Sequence, residues 1–496
     1  MKKEYILSID QGTTGTRAIL FNKKGKIVSS GYKEFKQYFP NPGWVEHDAV
    51  EIWKTCETVI KLALKKAHVL PNQIKAIGIT NQRETTVLWD RKTSKPVARA
   101  IVWQCRRTAD MCSSKRLYQK RNLFRQKTGL VLDPYFSGTK IKWLLDNVKG
   151  LKEKAKKGDI CFGTIDSWLI WKLTGRKNHV TDMTNASRTL IFNIKTKQWD
   201  HQLLKILSIP SNILPKVQKS GSNFGITMKG IAGLESGIPI TAVLGDQQAA
   251  LYGQGCFKKG SVKNTYGTGC FIVLNTGKNI VYSKKGLLST IASDEQGNPI
   301  YAMEGSVFIG GAVIQWLRDQ LKIIKDSSQT EKKISHLKNT EGVYFVPAFT
   351  GLGAPFWDSQ AKGAIVGLTR GSSANHIIRA ALESIAYQTK DVFDLMQSEL
   401  GIKIKELKVD GGASKNNFLM QFQADILNTN IVRPKIVEST AWGAALLAGV
   451  KIGFWNANKD FNKVVKKDRT FSPQMKKAMR DTLYLSWTKA LQRVKS

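Results

Sequence analysis

At 496 residues, with 42% apolar side chains, the chain is too long for one typical domain and too apolar to stay disordered. It carries 77 Lys and Arg against 38 Asp and Glu, a formal charge of +39. These cations are spread from end to end, with no basic arm and no aromatic-studded block, so a solvated basic surface is expected and no nucleic-acid partner. No apolar run is long enough to span a bilayer, the MKKEY start has no signal-peptide core, and the six cysteines form no CxxC pair. A reduced, cytoplasmic protein without a disulfide framework or zinc site is the expectation.

The first elements lie in YILSIDQGTTGTRAILF, residues 5–21. Tyr5 to Ile9 and Ala18 to Phe21 read as strands. Between them Gly12 and Gly15 permit a tight turn, and Thr13, Thr14, Thr16 and Arg17 crowd it with donors, an arrangement that suits phosphate oxygens. Asp10, at the strand end, stands where a metal on those phosphates could be met through water. A plain hairpin with a polar tip fits the same residues.

Next comes LGDQQAALYGQG, residues 244–255, where an apolar segment, Ile240 to Leu244, ends in Gly245-Asp246 and a helix of small residues begins. Asp246 sits at or near the N-cap, where a carboxylate either serves chemistry or satisfies free backbone donors. The opening pattern then returns in VKNTYGTGCFIVLNT, residues 262–276: strand, Gly/Thr turn, strand, half a chain later. Two related halves facing one cleft are expected. Finally, in KVDGGASKNNFLMQFQADIL, residues 408–427, a strand ends at Asp410 and Gly411-Gly412 allow close approach before a helix bearing Asn416 and Asn417. A purine or its ribose could pack there, as could nothing more than a tight strand-to-helix turn.

Neither GxxxxGK[ST] nor GxGxxG occurs, so a nucleotide site would be neither of the Walker nor of the Rossmann kind. Two Gly/Thr hairpins, a strand-end aspartate in each half and a glycine-rich loop resemble the actin/hexokinase/Hsp70 architecture. The expected fold class is α/β, with two ribonuclease H-like domains, each on a five-stranded sheet, around a central ATP cleft. The domains are expected at 1–252 and 253–496.

Longer blocks carry a closer resemblance. YFSGTKIKWLLDN (135–147) and GAIVGLTRGSSANHIIRAALES (363–384) are similar to the two signatures of the FGGY carbohydrate kinases. PGWVEHD (42–48), GITNQRETTVLWD (78–90), AIVWQCRRT (100–108), DPYFSGTK (133–140), NTYGTGCF (264–271) and FTGLGAPFWD (349–358) resemble the members that phosphorylate glycerol.

The resemblance implies ATP-dependent formation of sn-glycerol 3-phosphate, with Asp246 as general base and Mg²⁺ near Asp10 and Asp246. Arg83, Glu84, Trp103, Tyr135, Asp246, Gln247 and Phe271 would hold the polyol. Thr13, Thr14, Arg17, Thr268, Gly311, Gln315, Gly412 and Asn416 would cradle ATP. By residue physics alone Arg83-Glu84 could be a surface ion pair and the three aromatics plain core. A homodimer or homotetramer is implied. The lysine-rich segment from about 456 to 496 matches the family poorly. A kinase of a pentulose or another polyol, a silent nucleotide-binding scaffold, and a second, nucleic-acid-binding role driven by the +39 charge are the competing readings.

Overall fold

The computed structural model describes residues 3–358, 360–435, 438–456 and 467–496. The first half is built on five strands: β1 (Tyr5–Gln11), β2 (Gly15–Asn22), β3 (Ile27–Glu34), β4 (Ile74–Asn81) and β5 (Ile240–Gly245). Their order in the sheet is β5-β4-β1-β2-β3, with β1, β4 and β5 parallel and β2 and β3 antiparallel. Helix α1 (Ala49–Lys66), capped by Asp48, lays an apolar stripe against β2 and β3.

The second half repeats this plan and adds to it. Strands β6 (Val262–Tyr266), β7 (Cys270–Gly277), β8 (Leu288–Ser293), β9 (Pro299–Val307), β10 (Glu406–Asp410), β11 (Asn430–Pro434) and β12 (Lys467–Phe471) form a sheet in the order β8-β9-β7-β6-β10-β11-β12. Its inner five, β9-β7-β6-β10-β11, match the order and strand directions of the first sheet. The expected five strands are therefore present, and β8 and β12 extend the sheet as antiparallel edges.

Parallel strands covered on both faces leave their chemistry at the strand ends. In the first sheet the register sets Gln11, Asn81 and Gly245 side by side, so the residues around Asp10, Arg83 and Asp246 leave the sheet at one edge. In the second sheet Thr265 lies beside Asp410. Both edges face the cleft.

Two helices are exchanged between the halves. Helix α2 (Ser137–Asn147) stays with the first half, whereas α3 (Asp246–Gly253), which follows β5, crosses α7 (Ser439–Lys451). The crossing leaves no room for side chains. A Cβ on Gly443 would lie 1.9 Å from the Ala249 carbonyl oxygen, and one on Gly253 would lie 2.1 Å from that of Ser439. Helix α7 in turn packs on the first sheet, where Ser8 Oγ donates to the Ala441 carbonyl (2.7 Å) and the Gly78 backbone meets Ala444. An apolar cluster of Ile6, Phe21, Ala242, Tyr252, Trp442 and Leu446 seals this junction.

Helices α4 (Ala312–Asp319), α5 (Ala374–Leu400), α6 (Asn417–Leu427) and α8 (Lys477–Gln492) complete the second half. Of the lysine-rich C-terminal segment, 457–466 lie outside the described residues. The rest is mostly exposed but anchored by a few buried side chains: Trp487 is fully buried, stacks on Tyr387 with ring centroids 5.2 Å apart, and donates from Nε1 to Asp391 (3.1 Å). Among the described residues no helix is long and apolar enough to cross a membrane.

Candidate active site

The two Gly/Thr turns form as expected. Gly12 N–H donates to the Gly15 carbonyl (2.9 Å) and Gly267 N–H to that of Gly269 (2.9 Å). The second turn is pinned to the start of α4, since Gly311 N–H donates to the Gly267 carbonyl (2.8 Å). Gly411 takes φ 85°, where a Cβ would lie 2.4 Å from the Tyr266 carbonyl oxygen. A Cβ on neighbouring Gly412 would meet open space. One glycine lets the loop approach β6 and the other leaves a flat surface exposed.

Two cavities adjoin here, the larger within the second half and the smaller between the two halves. The larger, of about 530 Å³, gathers Thr268, Gly311, Gln315, Gly412 and Asn416, and also Arg318. The smaller, of about 140 Å³, gathers Arg83, Glu84, Trp103, Tyr135, Gln247 and Phe271, with Asp246, Thr13 and Thr268. Thr268 lines both, so the cavities meet at the second turn. Asp10, Thr14 and Arg17 line neither. Arg17 instead pairs with Glu438, across the junction between the halves. Asn416 spends its side chain on the fold: Oδ1 caps α6 through Leu419 N–H (2.8 Å) and Nδ2 donates to Thr330 (3.0 Å).

The smaller cavity has an apolar wall and an ionic floor. Trp103 meets Tyr135 and Phe271 edge-on, with centroids 5.6 and 6.1 Å away, and its Nε1 donates to Thr13 Oγ1 (2.9 Å). The wall of one cavity is thereby tied to the first turn. Beneath it, Arg83 Nε lies 3.1 Å from Asp246 Oδ1, while Arg83 Nη1 and Nη2 donate to Glu304 at 2.5 and 3.0 Å. Arg188 donates from Nε to Glu84 (2.6 Å) and from Nη2 to Glu304 (2.9 Å). Arg83, Glu84, Arg188 and Glu304 are almost wholly buried. Glu304, on β9, thus joins two arginines of the other half.

Glu84 holds a left-handed backbone, φ 59°, which costs a non-glycine residue on the order of 1–2 kcal/mol. Its carbonyl is fastened by two donors from α2, Ser137 Oγ (2.9 Å) and Lys140 Nζ (3.4 Å). Lys140 also donates to the Tyr135 carbonyl (2.7 Å).

Electrostatics follow from burial. Burial raises the Asp246 carboxyl above the ordinary range, against the pull of Arg83 and Lys263. Burial also pushes Asp10 up to about 7, with Arg17 opposing and Glu438 and Asp246 adding to the rise. Burial would raise Glu304 as well, but Arg188 and Arg83 hold it at about 2. Burial lowers Lys140 to about 7 and Lys263 to about 8. Such opposed shifts arise both where charged groups are arranged for chemistry and in a buried structural ion cluster, and this floor is the second at least.

The residues expected around a polyol therefore converge, and those expected around a nucleotide divide between the larger cavity and the first turn. Reading the sequence missed Arg188, Glu304, Lys140 and Lys263. Glu304 had a signal, a lone carboxylate inside the apolar run of β9.

Comparison with known proteins agrees in extent. Models of the N-terminal and C-terminal domains of the FGGY family of carbohydrate kinases match residues 5–253 and 262–452. A glycerol kinase of Caldanaerobacter subterraneus subsp. tengcongensis is 56% identical over 490 residues, covering 99% of this chain and 98% of its own. One from Geobacillus sp. is likewise 56% identical over 490 residues, with the same coverage. The crystal structure of Plasmodium falciparum glycerol kinase with ADP has a TM-score of 0.92 at 39% identity, covering 99% of this chain and 98% of that one. With both domain models matched in order over most of its length, the chain belongs to the FGGY family of carbohydrate kinases.

Proposed function

We propose that the protein transfers the γ-phosphoryl group of ATP to glycerol, giving sn-glycerol 3-phosphate. The observation that carries this reading is the meeting of the two cavities at Thr268, with Asp246 lining the smaller one. ATP would occupy the larger cavity, its purine over Gly412 and its phosphates toward the second turn. Glycerol would lie in the smaller one, its carbons against Trp103 and Phe271 and its hydroxyls toward Arg83, Glu84, Tyr135 and Gln247. Asp246, half-open to that cavity and raised by burial, would take the proton of the attacking hydroxyl. Phosphoryl transfer depends mainly on in-line placement and charge neutralisation, which the floor of paired charges serves by holding Arg83 and Asp246 at fixed positions.

Among the described residues no cluster of three or more His, Cys, Asp or Glu could hold a metal alone. Two carboxylates that sense each other's charge, Asp10 and Asp246, fit Mg²⁺, which takes few protein ligands and keeps phosphate and water oxygens. When bound, Mg²⁺ would neutralise phosphate charge. We further propose 1–252 and 253–496 as the two domains, closing on the substrates so that water is kept from the γ-phosphate. A homodimer or homotetramer is the proposed assembly, measurable by sedimentation.

The test is coupled ADP release from Mg-ATP with and without glycerol. Glycerol-dependent turnover is expected. A rate with xylulose far above that with glycerol would move the substrate to the pentuloses, and folded, ATP-binding protein inactive with every polyol would leave a scaffold. Ser137→Ala removes the shortest of three side-chain hydrogen bonds to the Glu84 carbonyl, the others coming from Thr86 Oγ1 (3.2 Å) and Lys140 Nζ (3.4 Å). It should raise the glycerol KM several-fold, in line with about 1 kcal/mol for one hydrogen bond, while the KM for ATP stays unchanged.

A further inference from the structure

Lys263 is fully buried on β6, below the smaller cavity and outside it. Its ammonium faces three oxygens: Gln247 Oε1, Thr265 Oγ1 (2.9 Å) and the Phe271 carbonyl (3.2 Å). Gln247 and Phe271 both line the cavity. An ammonium has three donors and no acceptor, so the Gln247 atom against it must be the carbonyl oxygen. Turning the amide over would set an N–H₂ against an N–H₃⁺. Gln247 Nε2 has no hydrogen-bond partner among the described residues and is not sealed from the cavity.

We propose that Lys263 is a positioning residue for polyol recognition: it fixes the Gln247 side chain so that its N–H₂, and not its carbonyl oxygen, meets the polyol. The inference rests on the polyol-kinase reading above. Its chemical consequence is a divided floor. Asp246 accepts, and Gln247 beside it on α3 only donates. The group that meets Gln247 must therefore accept a hydrogen bond, as a hydroxyl oxygen does and an ammonium cannot. A neutral polyol is admitted there and an amino alcohol presenting its cation is not. The site also draws on both halves, since Lys263 on β6 orients a side chain on α3.

Gln247→Glu decides the matter with little change of shape. The new carboxylate keeps an oxygen on Lys263 and gains an ion pair, so the fold is preserved, but it presents only acceptors to the polyol. The expected result is a glycerol KM raised at least about tenfold, as far as in Gln247→Ala, with the KM for ATP within twofold of wild type. A glycerol KM near that of wild type in Gln247→Glu overturns the proposal, because the carbonyl oxygen would then be the group that glycerol uses. Lys263→Met should raise the glycerol KM in the wild-type background and add nothing further in Gln247→Ala, where no side chain is left for Lys263 to orient. Additive effects would mean that Lys263 does not act through Gln247. Wild-type turnover of glycerol, measured in the same assay, reports on the underlying reading separately. If another polyol is the substrate, the same ratios are taken with it.

Discussion

Asp246→Asn is expected to lower glycerol-dependent ADP release by about 10²- to 10⁴-fold, the span that a well-placed general base supplies. The substitution is nearly isosteric. Asparagine can still accept from Gln247 N–H through Oδ1, the bond that wild type makes at 2.7 Å, and it can still lie beside Arg83. What it cannot do is take a proton from the attacking hydroxyl. ATP binding, measured by calorimetry in the absence of glycerol, should stay within a few-fold of wild type, because the larger cavity is untouched. Turnover within tenfold of wild type would remove Asp246 as the base and leave it a role in orientation alone.

The second large effect is expected at a residue outside both cavities. Glu304→Ala should destabilise the fold by about 3–5 kcal/mol, the usual cost of stranding a buried charge by removing its partner. Here two buried partners lose a carboxylate at once: Arg83 keeps only Asp246 and Arg188 only Glu84 as close ionic partners. Urea denaturation reads the loss. Glu304→Gln, which keeps the shape, should raise the glycerol KM as well, since Arg83 loses the carboxylate that holds its outer nitrogens.

The pH dependence has a definite sign. The Glu304 carboxyl is held at about 2, below its ordinary value of 4.5. Its contribution is therefore complete above about 4.5 and is lost as the pH falls through about 2. Between those values the stability of wild type should fall with pH more steeply than that of Glu304→Gln. Parallel curves for the two proteins would mean that the ion cluster is not what Glu304 provides.

These two residues differ in how far the sequence discloses them. The repeated strand–turn–strand pattern rests on local signals, apolar runs of β-formers broken by glycine and threonine, whereas the five-stranded sheets were implied by the resemblance and their strand order is seen only in the structure. Strand β12, KDRTF, has no such signal. It is an exposed edge held by backbone pairing to β11, and its side chains are mostly charged. Asp246 was legible because a carboxylate closing an apolar strand is a local event. Trp103, Tyr135 and Phe271 were legible only through the resemblance, because an aromatic lining a cavity has the same neighbours in sequence as one filling a core. Glu304 and Arg188 show the other limit. A charge in an apolar run marks a buried partner, but Arg83 stands 221 positions from Glu304, and nothing local names it. Lys263 lay in a quoted motif without a role, since its three acceptors come from two strands and a helix of the other half.

The crossing of α3 and α7 has a mechanical consequence. Helices whose backbones touch at two glycines cannot slide past each other, so that point is a fulcrum for any swing of one half against the other. Asp246 begins α3 and Gly253 ends it, which sets the proposed base about 10 Å from that glycine at 1.5 Å per residue. Displacement in a rotation grows with distance from its axis. In the closure proposed above, so short a lever arm would keep Asp246 and Arg83 in register, and the travel would fall on parts of the cleft farther from the crossing. The jaw that moves would then be the one remote from the glycines, and the groups nearest them would barely move.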